Sequence, residues 1–256
     1  ETSLIGNIDF ETTGYQGAVY DPSTGKAYWT AVTGGTSGLY EIDLTDASVT
    51  LVSEFPEGEQ LTGLWIESST PAPNPEVETF IYGDVAASDN SVTATGVYSF
   101  KPGADIALEA VKTDPNLVGS RGAFYADGRY EVVNMMTHTT YDAKSWDVLH
   151  ECRLGWPAMM EMAAMAVTYD PTTGNTYGCY LTTTQSYRFA TADYTTNTVT
   201  EIKDLGADVC ANCMFIGEDG VLYAIMNNGD LVTVNKTTGE TSLIGNIDFE
   251  TTGYQG

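Results

Sequence analysis

Apolar and polar residues alternate with a period of two along most of this chain, the pattern of strands buried on one face. Two passages show how the strands are joined: "AVYDPSTGKAYWTAV" (residues 18–32) and "AVTYDPTTGNTYGCYL" (residues 166–181). Each is an apolar run, an Asp-Pro-x-Thr-Gly turn and a second, aromatic-rich run. Asp caps the turn, Pro presets its φ, and Gly takes the left-handed position that closes a hairpin. Shorter versions are "AFYADGRYEVV" (123–133) and "MFIGEDGVLYAI" (214–225). A second hairpin follows each of these. The clearest are "GLYEIDLTDASVTLV" (38–52) and "GDLVTVNKTTGETSLIG" (229–245), and diverged copies are "YRFATADYTTNTVTEI" (187–202), "TTYDAKSWDVLHECRL" (139–154) and "GVYSFKPGADIALEAV" (96–111). The one helix-tolerant stretch, "PAMMEMAAM" (157–165), reads as a loop entering a strand.

Four strands in about 40 to 60 residues are the signature of a β-propeller blade. The expected fold is all-β: a single domain over 1–256, folded as a five-bladed β-propeller of four-stranded antiparallel blades, with six blades as the alternative. The blades run over about 16–58, 59–118, 119–158, 159–207 and 208–247. In the second blade the Pro-rich segment 68–78 reads as a linker outside the sheets. Anchoring on the first-strand aromatics aligns Gly17, Gly63, Gly122, Ala166 and Cys213, one per blade and all small. Innermost strands crowd around a propeller axis, so this position demands a small side chain.

The passage "ETSLIGNIDFETTGYQG" occurs twice, at 1–17 and at 240–256. In the blade register "TSLIGNI" (241–247) is the outermost strand of the last blade, and 1–15 and 248–256 form a duplicated closing segment. One ring has one slot for this strand. The expectation is that one copy completes its own ring while a neighbouring chain holds the other, by strand exchange.

The blade style "YDPxTGxxY … LYxIDxxTGxxTLIG" resembles that of YVTN- and NHL-type propellers and, more closely, the secreted or surface propellers of gut-type Bacteroidetes. The likeness covers nearly the whole chain and is specific to fold and blade. It implies export, an extracellular or cell-surface location, and binding of glycans, proteins or other surface ligands. In that resemblance the "GLYEID…GLWI" blade comes last, before a Pro/Ala linker. Here it comes first, which suggests a permuted chain or a cut from a tandem array.

Lys and Arg total 10 against 35 Asp and Glu, a formal charge of −25. That field repels nucleic acid and anionic membrane surfaces. No apolar stretch has the length of a membrane-spanning helix and no signal peptide is visible, so any export signal is expected to have preceded Glu1. Cys152, Cys179, Cys210 and Cys213 are too few for a disulfide framework. Cys210 and Cys213 with His150 and Cys152 are the best zinc donors, but they fall in different blades and read as buried small hydrophobes. His138, after the loop residues "NMM" (134–136), raises a Met/His copper site against a plain core reading. Asp21, Asp127, Asp170 and Asp219 sit in first-hairpin turns, and Asp43, Asp142 and Asp193 on or beside outer strands, where they are structural rather than a glycosidase pair.

The position before the small inner residue holds Gln16, Thr62, Arg121, Met165 and Asn212. Four of the five are polar at a site flanking the central channel, and Arg121 is the one cation among them. They bind either buried water or a ligand at the channel mouth, with Tyr15 and Trp65 as aromatics that could stack on a sugar. The reading is a non-catalytic ligand-binding or interaction module for a glycan or protein, with no metal or cofactor. The alternatives are a structural tandem array or filament linked by strand exchange, and a carbohydrate-active enzyme.

Overall fold

In the computed structural model the described residues are 10–66, 80–87, 94–115, 117, 120–153, 162–217, 220–247 and 249–252. They form five sheets built on four-stranded antiparallel meanders of consecutive strands, the first of them extended to six strands by two short strands from the chain ends. After a short strand β1 (Phe10–Thr13), the first blade is β2 (Gly17–Asp21), β3 (Lys26–Thr33), β4 (Thr36–Ile42) and β5 (Val49–Glu54). The second is β6 (Gln60–Ile66), β7 (Ile81–Ala87), β8 (Gly96–Phe100) and β9 (Glu109–Thr113). The third is β10 (Gly122–Ala126), β11 (Arg129–Val133), β12 (Thr137–Asp142) and β13 (Val148–Arg153). The fourth is β14 (Met162–Asp170), β15 (Asn175–Thr182), β16 (Tyr187–Asp193) and β17 (Thr198–Gly206). The fifth is β18 (Ala211–Ile216), β19 (Leu222–Met226), β20 (Asp230–Val234) and β21 (Thr241–Asn246), and β22 (Phe249–Thr252) follows it. Among the described residues the one helical element is a 3-10 turn, Pro56–Gly58.

The first strand of each sheet packs against the first strand of the next, β2 on β6, β6 on β10, β10 on β14, β14 on β18 and β18 back on β2. The ring is closed, and the chain is a five-bladed β-propeller.

Why the inner position is small can be read from its neighbours. A Cβ built on Gly17 would lie 3.1 Å from the Thr62 Cα of the next blade. One on Gly122 would lie 2.3 Å from the Val167 carbonyl oxygen. Gly63 adds a backbone reason, since its φ is +58° and its Cβ would meet the Ser120 hydroxyl at 2.4 Å. The inner strands approach backbone to backbone, and the Val167 N–H donates to the Arg121 carbonyl across the third seam at 2.9 Å.

Hydrophobic burial lies in the seams between blades. Trp29, Cys213, Phe215 and Ile225 share the seam between blades five and one, and Val19, Leu61, Leu64 and Tyr98 that between one and two. Large side chains there extend the contact outward from the crowded axis. Trp65 stacks with Tyr125 (5.3 Å, 9°) and Phe124 with Tyr169 (4.8 Å, 10°), each pair bridging two blades.

The C-terminal copy of the duplicated passage supplies β21, paired to β20 as a hairpin. The "FETT" portions of both copies, β1 and β22, pair in parallel with identical residues opposite each other, Phe10 with Phe249 through Thr13 with Thr252. Residues 1–9, which hold the N-terminal equivalent of β21, lie outside the described residues, as do the Pro-rich 68–78 segment and residues 157–161 of the helix-tolerant stretch. Met162 to Met165 of that region belong to β14.

Gly122→Ala should cost about 3 kcal/mol or more, the price of forcing atoms into a packed core. Gly128→Ala is the control: its φ is +77° but nothing lies within 4 Å, so only the left-handed penalty of about 1 kcal/mol applies. Urea unfolding of the two variants checks this, and equal losses would contradict the crowding argument.

Candidate functional site at one mouth of the ring

The meander makes the two ends of the ring unlike. Hairpin turns between first and second strands and between third and fourth strands gather at one end. Turns between second and third strands, and the crossings from blade to blade, gather at the other.

At the hairpin end five aspartates, Asp21, Asp43, Asp142, Asp170 and Asp193, are held within their own turns. Asp21 accepts from the Ser23 N–H at 2.9 Å and the Thr24 hydroxyl at 2.8 Å. Asp43 accepts from the Thr45 N–H, Asp142 from the Lys144 and Ser145 N–H groups, and Asp193 from the Thr195 and Thr196 N–H groups. Asp170 caps Thr172 in the same way and also meets the Lys236 ammonium of the next blade at 2.6 Å. Burial pushes the Asp170 pKa up, but hydrogen bonds from Lys236, Thr172 and Thr173 outweigh it and hold the carboxyl at about 2. These aspartates fix turns, as the sequence indicated. Asp127 sits in its turn at φ 53°, and Asp219 lies outside the described residues.

The opposite end carries the inner-strand positions. Gln16 is fully buried and its Oε1 accepts from the Trp29 indole N–H at 3.1 Å. The buried Thr62 hydroxyl is 3.3 Å from that of Ser120, so blades two and three touch through hydroxyls. Arg121 is 3% exposed. The Asn212 Oδ1 lies 4.0 Å from the Cys210 sulfur. Met165 is packed in the apolar seam between blades four and five with Met214 and Ala211, which makes it core. Trp65 is engaged by Tyr82 at 4.1 Å and by Tyr125, in the seam between blades two and three, rather than open beside Tyr15. Tyr15 is half-buried, and its N–H donates to the Gln60 side chain at 3.1 Å.

Two parts of this end were missed by sequence reasoning. The first is Asp84, directly opposite Thr62 on β7 and fully buried. It accepts from the Tyr130 hydroxyl at 2.9 Å, while its Oδ2 has no hydrogen-bond partner among the described residues. Burial raises its pKa to about 6 against the opposing effect of Ser120 and Tyr130. The signal was a lone acid inside the apolar run "FIYGDVA" (80–86). The second is the rim, where Met135 is 39% and Val209 45% exposed. Beside them lie half-buried Asn134, exposed Asp208, and Asn227, whose Nδ2 donates to the Asp208 carbonyl.

His138 is not in a loop. It lies on β12, 2% exposed, with Nε2 2.7 Å from a Glu131 carboxyl oxygen and its ring stacked on Tyr194 at 4.0 Å. Burial pushes the Glu131 pKa up, yet hydrogen bonds from His138 and Thr140 bring it below the usual value. The histidine is committed to the seam beside blade four through Tyr194 and to Glu131. His150 is exposed on the outer strand β13.

No family model matches the chain, and no curated protein does. Similar solved structures are propellers at low identity. One from a nidogen/laminin complex has 12% identity and a TM-score of 0.54, covering 90% of this chain and 79% of the other. The Pseudomonas aeruginosa periplasmic gluconolactonase PpgL has 10% identity and a TM-score of 0.43, covering 93% and 85%. YCF48 bound to D1 peptide has 14% identity and a TM-score of 0.40, covering 92% and 70%. The likeness is one of fold. The YVTN/NHL and Bacteroidetes resemblance rests on the blade motifs alone.

Two pH dependences follow. Asp84 titrates at about 6 when folded against an ordinary 3.8. The native state keeps a proton that the unfolded chain has lost, so its stabilising effect is complete below about pH 4 and disappears as pH rises through 6. Asp84→Asn keeps an acceptor for Tyr130 and should stabilise by up to about 3 kcal/mol at pH 8, with little change at pH 4. Equal shifts at both pH values in urea melts would refute this. Asp170 has the opposite sign, since its folded pKa of about 2 is depressed. Its contribution is present above about pH 4 and lost as pH falls through 2. Lys236→Met should cost about 3 kcal/mol at pH 7 and flatten the acid limb of the stability profile, which thermal melts between pH 2 and 7 would show.

Proposed function

We propose that this propeller is a non-catalytic binding module of an exported or surface protein, taking a glycan or protein ligand at the mouth rimmed by Tyr15, Asn134, Met135, Asp208 and Val209. The observation that carries the reading is the asymmetry of the two ends. At the hairpin end Asp21, Asp43, Asp142, Asp170 and Asp193 close their own turns. At the other end exposed Met135, Val209 and Asp208 and half-buried Tyr15 and Asn134 stand over a floor of buried polar residues, an arrangement suited to contact and to orienting hydrogen bonds. The ionisable groups of that floor, Asp84 and Arg121, are 0% and 3% exposed. Their burial supports a role in shaping the floor. Because Arg121 is buried, truncating it would disturb the ring as well as any ligand. The rim side chains are the cleaner probes.

The test is a glycan array and a peptide library screened with the wild-type chain, followed by titration of the hits. Val209→Asp and Met135→Asp should each weaken binding about tenfold, equivalent to about 1.4 kcal/mol, with the melting temperature nearly unchanged. Hits that survive both substitutions would remove the mouth as the site. Turnover of any glycan that disappears in Asp84→Asn would establish the enzymatic alternative instead.

A further inference from the structure

Cys210 and Cys213 are the pair that sequence spacing suggests, but the structure turns them to different seams. Cys213 is fully buried with Trp29 and Phe215 against blade one. Cys210 is 4% exposed in the cluster against blade four, and that cluster also holds Cys179, 1% exposed, from the second strand of blade four. Both are free thiols in this structure. Cys179 faces Ala166 across its ladder, and it shares one buried cluster with Cys210 and Ala211 at the crossing into blade five. There it is hydrogen-bonded to the Cys210 side chain and to the Ala211 backbone. The Cys210 sulfur lies 3.3 Å from the Ala211 carbonyl oxygen. The two thiols therefore meet where one blade hands over to the next.

We infer that Cys179 and Cys210 are the sites of an inter-blade disulfide that staples blade four to blade five. The step is thiol–disulfide exchange with an oxidised disulfide such as glutathione disulfide. The thiolate of one cysteine attacks a sulfur of the oxidant and releases one reduced thiol. The second cysteine then attacks the mixed disulfide, forming the Cys179–Cys210 bond and releasing the second thiol. Two protons leave, the cysteines are oxidised, and one oxidant disulfide is reduced to two thiols. The Cys210 contact and burial hold the Cys179 pKa well above the ordinary thiol range. Because the thiolate is the attacking species, exchange is slow in the closed ring and proceeds while the seam is forming. The bond encloses the whole of the third and fourth strands of blade four, a loop long enough to restrict the unfolded chain substantially. The inference is independent of the ligand site.

The experiment refolds the denatured, reduced full chain with either glutathione disulfide or dithiothreitol. Intact mass, peptide mapping without reduction and thermal melting are then compared. The oxidised chain should lose the mass of two hydrogens, yield one cross-linked peptide joining Cys179 to Cys210, and melt several degrees above the reduced chain. Cys179→Ala and Cys210→Ala should each abolish both the mass change and the difference in melting. Cys152→Ala and Cys213→Ala should retain them. A cross-link mapped to Cys210 and Cys213 or to Cys152, or no mass change in refolded wild-type chain, would overturn the inference. The wild-type map decides the matter even where an alanine variant does not fold.

Discussion

The backbone approach of five inner strands around one axis is the constraint on which the rest of this structure depends. At Gly17, Gly63 and Gly122 there is no room for a Cβ without moving the next blade. That contact sets how deeply each sheet reaches toward the axis. It also sets the height at which Gln16, Thr62, Arg121 and Asn212 stand relative to one another. Ala166 and Cys213 are larger than glycine, and both are fully buried at the same level. The ring thus tolerates one or a few extra atoms in blades four and five.

Away from the axis the blades diverge, and side chains must grow to fill the widening seam. Aromatic residues do this at low entropic cost and with defined ring geometry. Trp65 with Tyr125 and Phe124 with Tyr169 repeat one solution in consecutive seams. The seam between blades four and five adds an ion pair, Lys236 with the buried Asp170. A buried carboxylate needs such a partner, so this pair fixes the relative height of two sheets as well as closing a turn. Glu131 meets the same demand through a histidine, whereas Asp84 has a tyrosine hydroxyl on one oxygen only, and burial raises its pKa instead.

The duplicated passage offers two sequences for one outer strand of the ring. Residues 2–7 and 241–246 are identical, so side-chain alternation alone does not distinguish them as the outer strand of blade five. The hairpin between β20 and β21 does, because closing a short turn loses less chain entropy than recruiting a strand from the far terminus. Gly245 then packs against the Ala47 and Asp46 turn of blade one, where a Cβ would lie 2.8 Å from each. Beyond it, the fully buried Ile247 donates its N–H to the Gly229 carbonyl and starts the path toward β22.

Much of this could be read from the sequence. Period-two alternation and the Asp-Pro-x-Thr-Gly turns are local signals, fixed by backbone sterics within one hairpin; with the small residue that recurs once per blade they led to five four-stranded blades. The structural role of Asp21 and Asp170 was legible for the same reason, since a turn aspartate is satisfied by residues two and three positions away. Partners across a seam were not legible. Whether Met165 lines a mouth or fills a core, whether Trp65 is open or stacked, and whether Cys210 meets Cys213 or Cys179 all depend on which neighbouring sheet a side chain faces. Asp84 and His138 likewise owe their surroundings to residues far away in sequence, Tyr130 and Tyr194. Alternation determined which face of each strand is buried. Only the closed ring, through the distance and angle between adjacent blades, decided what each buried face would meet.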